Sequence, residues 1–162
     1  MDDILIRPIQ PIDDAALANI IRRTMEEFGV NWPGTVYTDD TTDHLFWLFA
    51  SAPKSCYFVA EINGKLVGGG GIYPTDALPE GTCELVKMWL LPEGRGLGLG
   101  RDIISHCLQA AKEKGFTQVY LETMPELKRA ISVYEKFGFI LLEAPMGNSG
   151  HTSCSVWMLK KL

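Results

Sequence analysis

Apolar residues recur along this chain with two different periods. Leu17, Ile20, Ile21, Met25 and Phe28 fall three or four apart. That spacing predicts a helix opened by Asp13 or Asp14 and closed before Gly29. Leu99, Ile103, Ile104, Cys107, Leu108 and Ala111 repeat it over about Gly98 to Lys114, with Gly115 placed to end the helix. Leu127, Ile131 and Tyr134 line a third helix that stops before Gly138, and Thr42 is placed to cap a short one through Leu45, Leu48 and Phe49. The other apolar runs are short and extended. Ile4 to Arg7 is stopped by Pro8 and Pro11, while Ser55 to Ile62 and Lys65 to Tyr73 flank Asn63-Gly64, a two-residue hairpin turn. Thr82 to Leu91, Val119 to Thr123, Phe139 to Glu143 and about Thr152 to Leu159 complete the set.

The resulting order is β-α-α-β-β-β-α-β-α-β-β. It predicts an α/β (α+β) fold that combines antiparallel hairpins with one central strand-helix-strand crossover. A ligand is expected near the strand ends where the direction of winding changes. No repeat or linker divides the chain, so residues 1–162 read as a single domain, long enough to bury a sizeable core. Gly68-Gly69-Gly70-Gly71 is unusual inside a strand; close approach of a helix, a bulge and room for a substrate all fit it.

Composition narrows the function. A formal charge of −5 argues against nucleic-acid binding and favours a cationic small molecule over an anionic one. No apolar run is long enough to span a membrane, and Met1-Asp2-Asp3 is unlike a secretory signal. Cys56, Cys83, Cys107 and Cys154 lie far apart without paired spacing, which suggests free thiols in a reducing cytoplasm and no metal site. His44 and His106 read as structural or exposed.

The chemistry concentrates after residue 90. Glycines at 94, 96, 98 and 100 join the strand at 82–91 to the following helix. Such a loop offers unpaired backbone amides at a positive helix end, without Cβ atoms to block approach, and so suits a pyrophosphate. The spacing departs from the dinucleotide Gly-x-Gly-x-x-Gly pattern, and Gly100-Arg101-Asp102 lacks the Gly-Lys-Ser/Thr ending of a nucleotide P-loop. What remains is Arg95-x-x-Gly98-x-Gly100, preceded by Leu90-Leu91-Pro92.

That signature, together with Ala130-Ile131-Ser132-Val133-Tyr134-Glu135-Lys136-Phe137-Gly138-Phe139, resembles the GNAT superfamily of N-acetyltransferases. The resemblance runs from Ile4 to Leu162 and is sharpest from Glu84 to Phe139. It implies a mixed, mainly antiparallel sheet flanked by helices, with a V-shaped split between the strands at 82–91 and 117–123. It also implies transfer of an acetyl group from acetyl-CoA to a primary amine, most readily of a small molecule, by direct attack in a ternary complex. Homodimers are common in the family.

Residue by residue, the resemblance assigns the pyrophosphate to the backbone of Arg95, Gly96, Gly98, Gly100 and Arg101, with added charge from the two arginines. It assigns the pantetheine arm to the main chain of Leu90. Tyr134 takes the position of the tyrosine that protonates or positions the leaving sulfur; a phenol with a pKa of about 10 is protonated at neutral pH. Glu84 is the preferred base, directly or through a water, and strand alternation would point it the same way as Leu90. Glu122 is a second candidate. Trp32, Tyr37, Trp89 and His151 are acceptor-pocket candidates. One departure is Leu127, where many members carry a cofactor-contacting Asn. The alternatives are a CoA-binding sensor without transfer activity, an acyltransferase using another acyl-CoA, and a dinucleotide oxidoreductase.

Overall fold

The computed structural model describes all residues, Met1–Leu162. Its strands are β1 (Ile4–Pro8), β2 (Cys56–Ile62), β3 (Lys65–Tyr73), β4 (Thr82–Leu90), β5 (Gln118–Thr123), β6 (Ile140–Leu142) and β7 (Val156–Lys161). Its helices are α1 (Asp14–Glu27), α2 (Leu45–Ser51), α3 (Leu99–Glu113) and α4 (Lys128–Lys136). The order of elements is the expected one. One seven-stranded sheet runs β1-β2-β3-β4-β5-β7-β6, and every pairing is antiparallel except β4 with β5. The Asn63-Gly64 turn has φ of 52° and 79°, the left-handed pair that a tight hairpin requires.

Each sheet face carries its own core. Leu99, Ile103, Ile104 and Cys107 of α3 pack with Leu85, Val119 and Met158 on one face. On the other, Leu17, Ile21 and Met25 of α1 pack with Leu45, Phe49, Tyr57 and Val59. No helix is long and apolar enough to cross a membrane.

The parallel pair is short. Thr82, Cys83 and Glu84 pair with Gln118, Val119 and Tyr120, after which β4 and β5 part. From Leu85 onward β4 has a strand neighbour only on its β3 side, which opens the split in the sheet.

A bulge within β4 corrects the expectation that Glu84 and Leu90 share a face. Gly71 faces Val86 while Gly69 faces Trp89, so β4 carries one extra residue between them. Lys87, within the bulge, adopts φ of 53°. An extra residue inverts strand parity. Val86 and Trp89 therefore pack toward α1, whereas Leu85, Met88 and Leu90 pack toward α3. The Tyr57 hydroxyl pins the bulge by donating to the Lys87 carbonyl at 2.8 Å.

The glycine run answers to the same geometry. A Cβ at Gly69 would lie 2.6 Å from Tyr57 Cε1, and one at Gly71 would lie 2.7 Å from Tyr57 Cδ2 and 2.4 Å from the Cys56 carbonyl. On the opposite face, a Cβ at Gly70 would lie 2.6 Å from Met88 Sδ and 3.0 Å from Ile103 Cγ2. Close approach and the bulge thus both account for the run: it seats the Tyr57 ring on one side and α3 with Met88 on the other.

Two caps differ from the expectation. Asp13 accepts from Gln10 N–H at 2.7 Å and pairs with Arg7, so it closes the turn before α1. Thr42 donates its hydroxyl to the Val36 carbonyl, and α2 is capped instead by Asp14, whose Oδ1 accepts from Phe46 N–H at 2.8 Å. His44 is exposed, and so is His106, whose ring lies 5.3 Å from that of Phe58.

Candidate active site

A cavity of about 770 Å³ follows the split between β4 and β5. One end is the glycine loop. Gly98 precedes α3 with φ of 81°, a conformation costly for any residue with a Cβ, and no side chain caps the helix. Gly94 and Arg95 amides donate to the Leu91 and Pro92 carbonyls, and the helix ladder begins with Asp102 N–H on the Gly98 carbonyl at 3.0 Å. The N–H groups of residues 96 to 101 between them bond to nothing in the protein. Cβ positions at Gly96 and Gly98 would meet only open space. A row of unpaired amides at a helix N-terminus is an anion cradle.

Arg101, Lys128, Arg129 and Lys136 also line the cavity, the last three not anticipated from the sequence. Arg95 is placed otherwise than expected. Its guanidinium donates to the Leu90 carbonyl at 3.1 and 2.9 Å, pairs with Glu27 at 2.6 and 2.9 Å, and lies 5.1 Å from the Phe28 ring. Arg95 therefore ties the end of β4 to the end of α1 and is not turned toward the open amides. The Leu90 carbonyl it engages lies along the wall where the resemblance puts the pantetheine arm.

Tyr134 lines the cavity, 5.9 Å from Phe139 between ring centroids. Burial raises its pKa above the ordinary phenol value, and its hydroxyl makes no hydrogen bond within the protein. Its proton is thus retained at neutral pH and free for a ligand. Leu127 also lines the cavity, giving it an apolar surface there.

The far end is polar. Glu84 is 3 % exposed and accepts from the Thr75 hydroxyl at 2.6 Å. Burial pushes its carboxyl up to about 7; the Thr75 bond opposes this, and the charge of Glu122 adds to it. Glu122 is already committed, accepting from Tyr120 Oη at 2.6 Å and from the Ser149 hydroxyl. Glu84 is thus poised to titrate near neutrality.

Beyond them, the His151 ring bonds through Nε2 to Asp39 Oδ2 at 3.1 Å, and Thr41 donates twice to Asp39 Oδ1. The His151 bond, ahead of those from Thr41, holds the Asp39 carboxyl well below the usual range. Of the acceptor-pocket candidates, His151 and Trp89 line the cavity, while Trp32 and Tyr37 pack against the α1-side core outside it. Cys154 lines it as well, but burial, followed by the charges of Glu122 and Glu84, pushes its thiol up to about 12. A thiol so far from its thiolate is a poor nucleophile.

Lys87, Asp39 and Thr75 were not anticipated. A lysine inside the apolar run Leu85-Val86-Lys87-Met88-Trp89 was a legible signal, because a cation in a buried strand requires a reason. Asp39 was not legible, since its partner lies 112 residues away.

Comparison with known proteins agrees with this geometry. Residues 17–139 match the Acetyltransferase (GNAT) family. The chain is 39% identical over 151 residues to YjgM of Escherichia coli K12, described as an uncharacterized N-acetyltransferase, covering 93% of this chain and 90% of that one. It superposes on an acetyltransferase of the GNAT family from Staphylococcus aureus Mu50 with a TM-score of 0.85 at 18% identity, over 99% of both chains. YncA of Salmonella typhimurium, a putative acetyltransferase solved with its cofactor acetyl-CoA, aligns with a TM-score of 0.76 at 22% identity, over 99% of this chain and 94% of that one. A family match across most of the chain, on a sheet that splits where the signatures require, leads to one assignment: the chain belongs to the GNAT family of acetyltransferases.

Proposed function

We propose that this protein transfers the acetyl group of acetyl-CoA to a primary amine of a small molecule, by direct attack in a ternary complex. The observation that carries the reading is the split between β4 and β5, with unpaired amides at one end and the titratable Glu84 at the other. The residues present fit the donor. The amides of Gly96, Gly98, Gly100 and Arg101 suit its pyrophosphate, and Leu90 with the cavity wall suits its arm. Bound there, acetyl-CoA supplies an activated thioester carbonyl.

Glu84 takes the proton from the acceptor nitrogen, directly or through a water, and so exposes the lone pair that forms the new C–N bond. As the C–S bond breaks, the Tyr134 hydroxyl delivers its proton to the departing sulfur. The raised thiol of Cys154 favours direct transfer over a covalent enzyme intermediate.

Thermal unfolding with acetyl-CoA, CoA, succinyl-CoA and NAD tests the donor. At saturation acetyl-CoA will raise the melting temperature by about 5 °C or more while NAD leaves it unchanged. No shift with any CoA ester would overturn the reading. Free-thiol release then identifies the accepted amines. Tyr134→Phe will lower kcat by about 10²-fold with the KM for the donor nearly unchanged; unaltered turnover removes Tyr134 from the chemistry.

A further inference from the structure

Lys87 is a buried cation in this cavity that the transfer reaction does not use. Its side chain is only 5% exposed, yet it lines the cavity beside Glu84 in the chain. Its ammonium makes no hydrogen bond within the protein, though it carries three N–H donors. Asp39 Oδ2 lies 3.9 Å away, too far for a hydrogen bond, and that carboxylate is already satisfied by His151 and Thr41. Bringing a cation into so buried a place is costly, and the strained φ of 53° at the same residue adds to that cost. The bulge and the Tyr57 bond to its carbonyl hold Lys87 in this position regardless. Strain and a buried cation that opens onto the cavity, retained together near a titratable carboxyl, indicate a binding role.

We propose that the Lys87 ammonium receives a carboxylate carried by the acceptor, so that the acceptor is a free amino acid, with its amine directed to Glu84. The inference rests on the transfer activity proposed above and names its substrate class. The charges around Lys87 favour one negative group of modest size. The acidic groups Asp39, Glu84 and Glu122 lie near this position, and they would repel a doubly charged phosphate more strongly than a singly charged carboxylate. Lys87 and Glu84 lie close enough for their charges to interact, so a carboxylate on Lys87 and an amine a bond or two away can address both.

The test measures acetyl transfer by thiol release for each free L-amino acid beside its carboxamide and its decarboxylated amine. The intact protein will prefer the best acid over its carboxamide by about 30-fold or more in kcat/KM. Lys87→Met will reduce that preference to about threefold or less, chiefly through the KM for the acid, while Lys87→Arg retains most of it. The KM for acetyl-CoA will stay unchanged in both variants, which reports an intact fold and donor site. Equal use of acids and carboxamides by the intact protein overturns the inference, and needs no variant to fold. An equal loss on both substrates in Lys87→Met overturns it too, by making the lysine merely structural. Transfer confined to polyamines or other amines without a carboxylate overturns it while leaving acetyl transfer standing. Failure to bind acetyl-CoA overturns the transfer reading and this inference with it.

Discussion

Glu84→Gln will lower kcat/KM for the amine by about 10²- to 10⁴-fold and remove the acidic limb of its pH profile. Glutamine keeps the shape of the side chain and an oxygen for the Thr75 hydroxyl but cannot take a proton. In the intact protein kcat/KM will rise with pH through about 7 and level off above it, because Glu84 acts only when ionised. A variant that keeps both its rate and its acidic limb would transfer the role of base to Glu122 or to solvent.

The same carboxyl leaves a mark on stability with a definite sign. Its value in the folded protein, about 7, lies above the ordinary 4.5, so the folded state holds the proton more tightly. The corresponding stability is fully present below about 4.5 and is lost as pH rises through about 7. Above that, the protein carries a buried anion at a cost of about 3 kcal/mol. Urea unfolding at pH 5 and pH 8 will show this difference, and Glu84→Gln will largely abolish it.

The second large effect is structural. Gly71→Ala will destabilise the protein by about 2–4 kcal/mol, read from the urea midpoint at constant m. The added Cβ would lie 2.4 Å from the Cys56 carbonyl and 3.1 Å from Tyr57 Cα, both main-chain atoms that cannot swing aside as a flexible side chain can. Relief requires β2 and β3 to separate, which also displaces the Tyr57 ring, 2.7 Å from the added Cβ, and loosens its bond to the Lys87 carbonyl. Activity in the surviving folded fraction will therefore fall as well. A fully stable, fully active Gly71→Ala would show that the glycine run merely reflects tolerance.

What could be read from the sequence was what depends on neighbours in the chain. The Asn63-Gly64 hairpin, the α3 stripe from Leu99 to Ala111 and the glycine opening of that helix are all set by local conformational preference and period. Tyr134, Gly98 and Gly100, picked out by signatures of the same local kind, line the cavity.

The misreadings share a different physical origin. Thr42 had the right chemistry and position to cap α2, but Asp14, 32 residues from Phe46, competes for the same amide from across a tertiary contact. Arg95 was adjacent to the anion cradle in sequence, yet Glu27, 68 residues away, and the Leu90 carbonyl claim its guanidinium. The bulge at Lys87 breaks the alternation that placed Glu84 with Leu90, and it is held in part by Tyr57, 30 residues before it. Period-2 reasoning has no means of detecting one extra residue whose cause lies on another strand.

The borrowed cap on α2 also makes that helix depend on its neighbour. Seven residues are too few to sustain a helix in water, since nucleation costs more than so short a run returns. Phe46 finds its acceptor only once Asp14 has been placed at the start of α1 and α1 lies against the sheet. The helical state of residues 45 to 51 therefore leans on a segment some thirty residues earlier, and a change that loosens the start of α1 is expected to fray α2 with it.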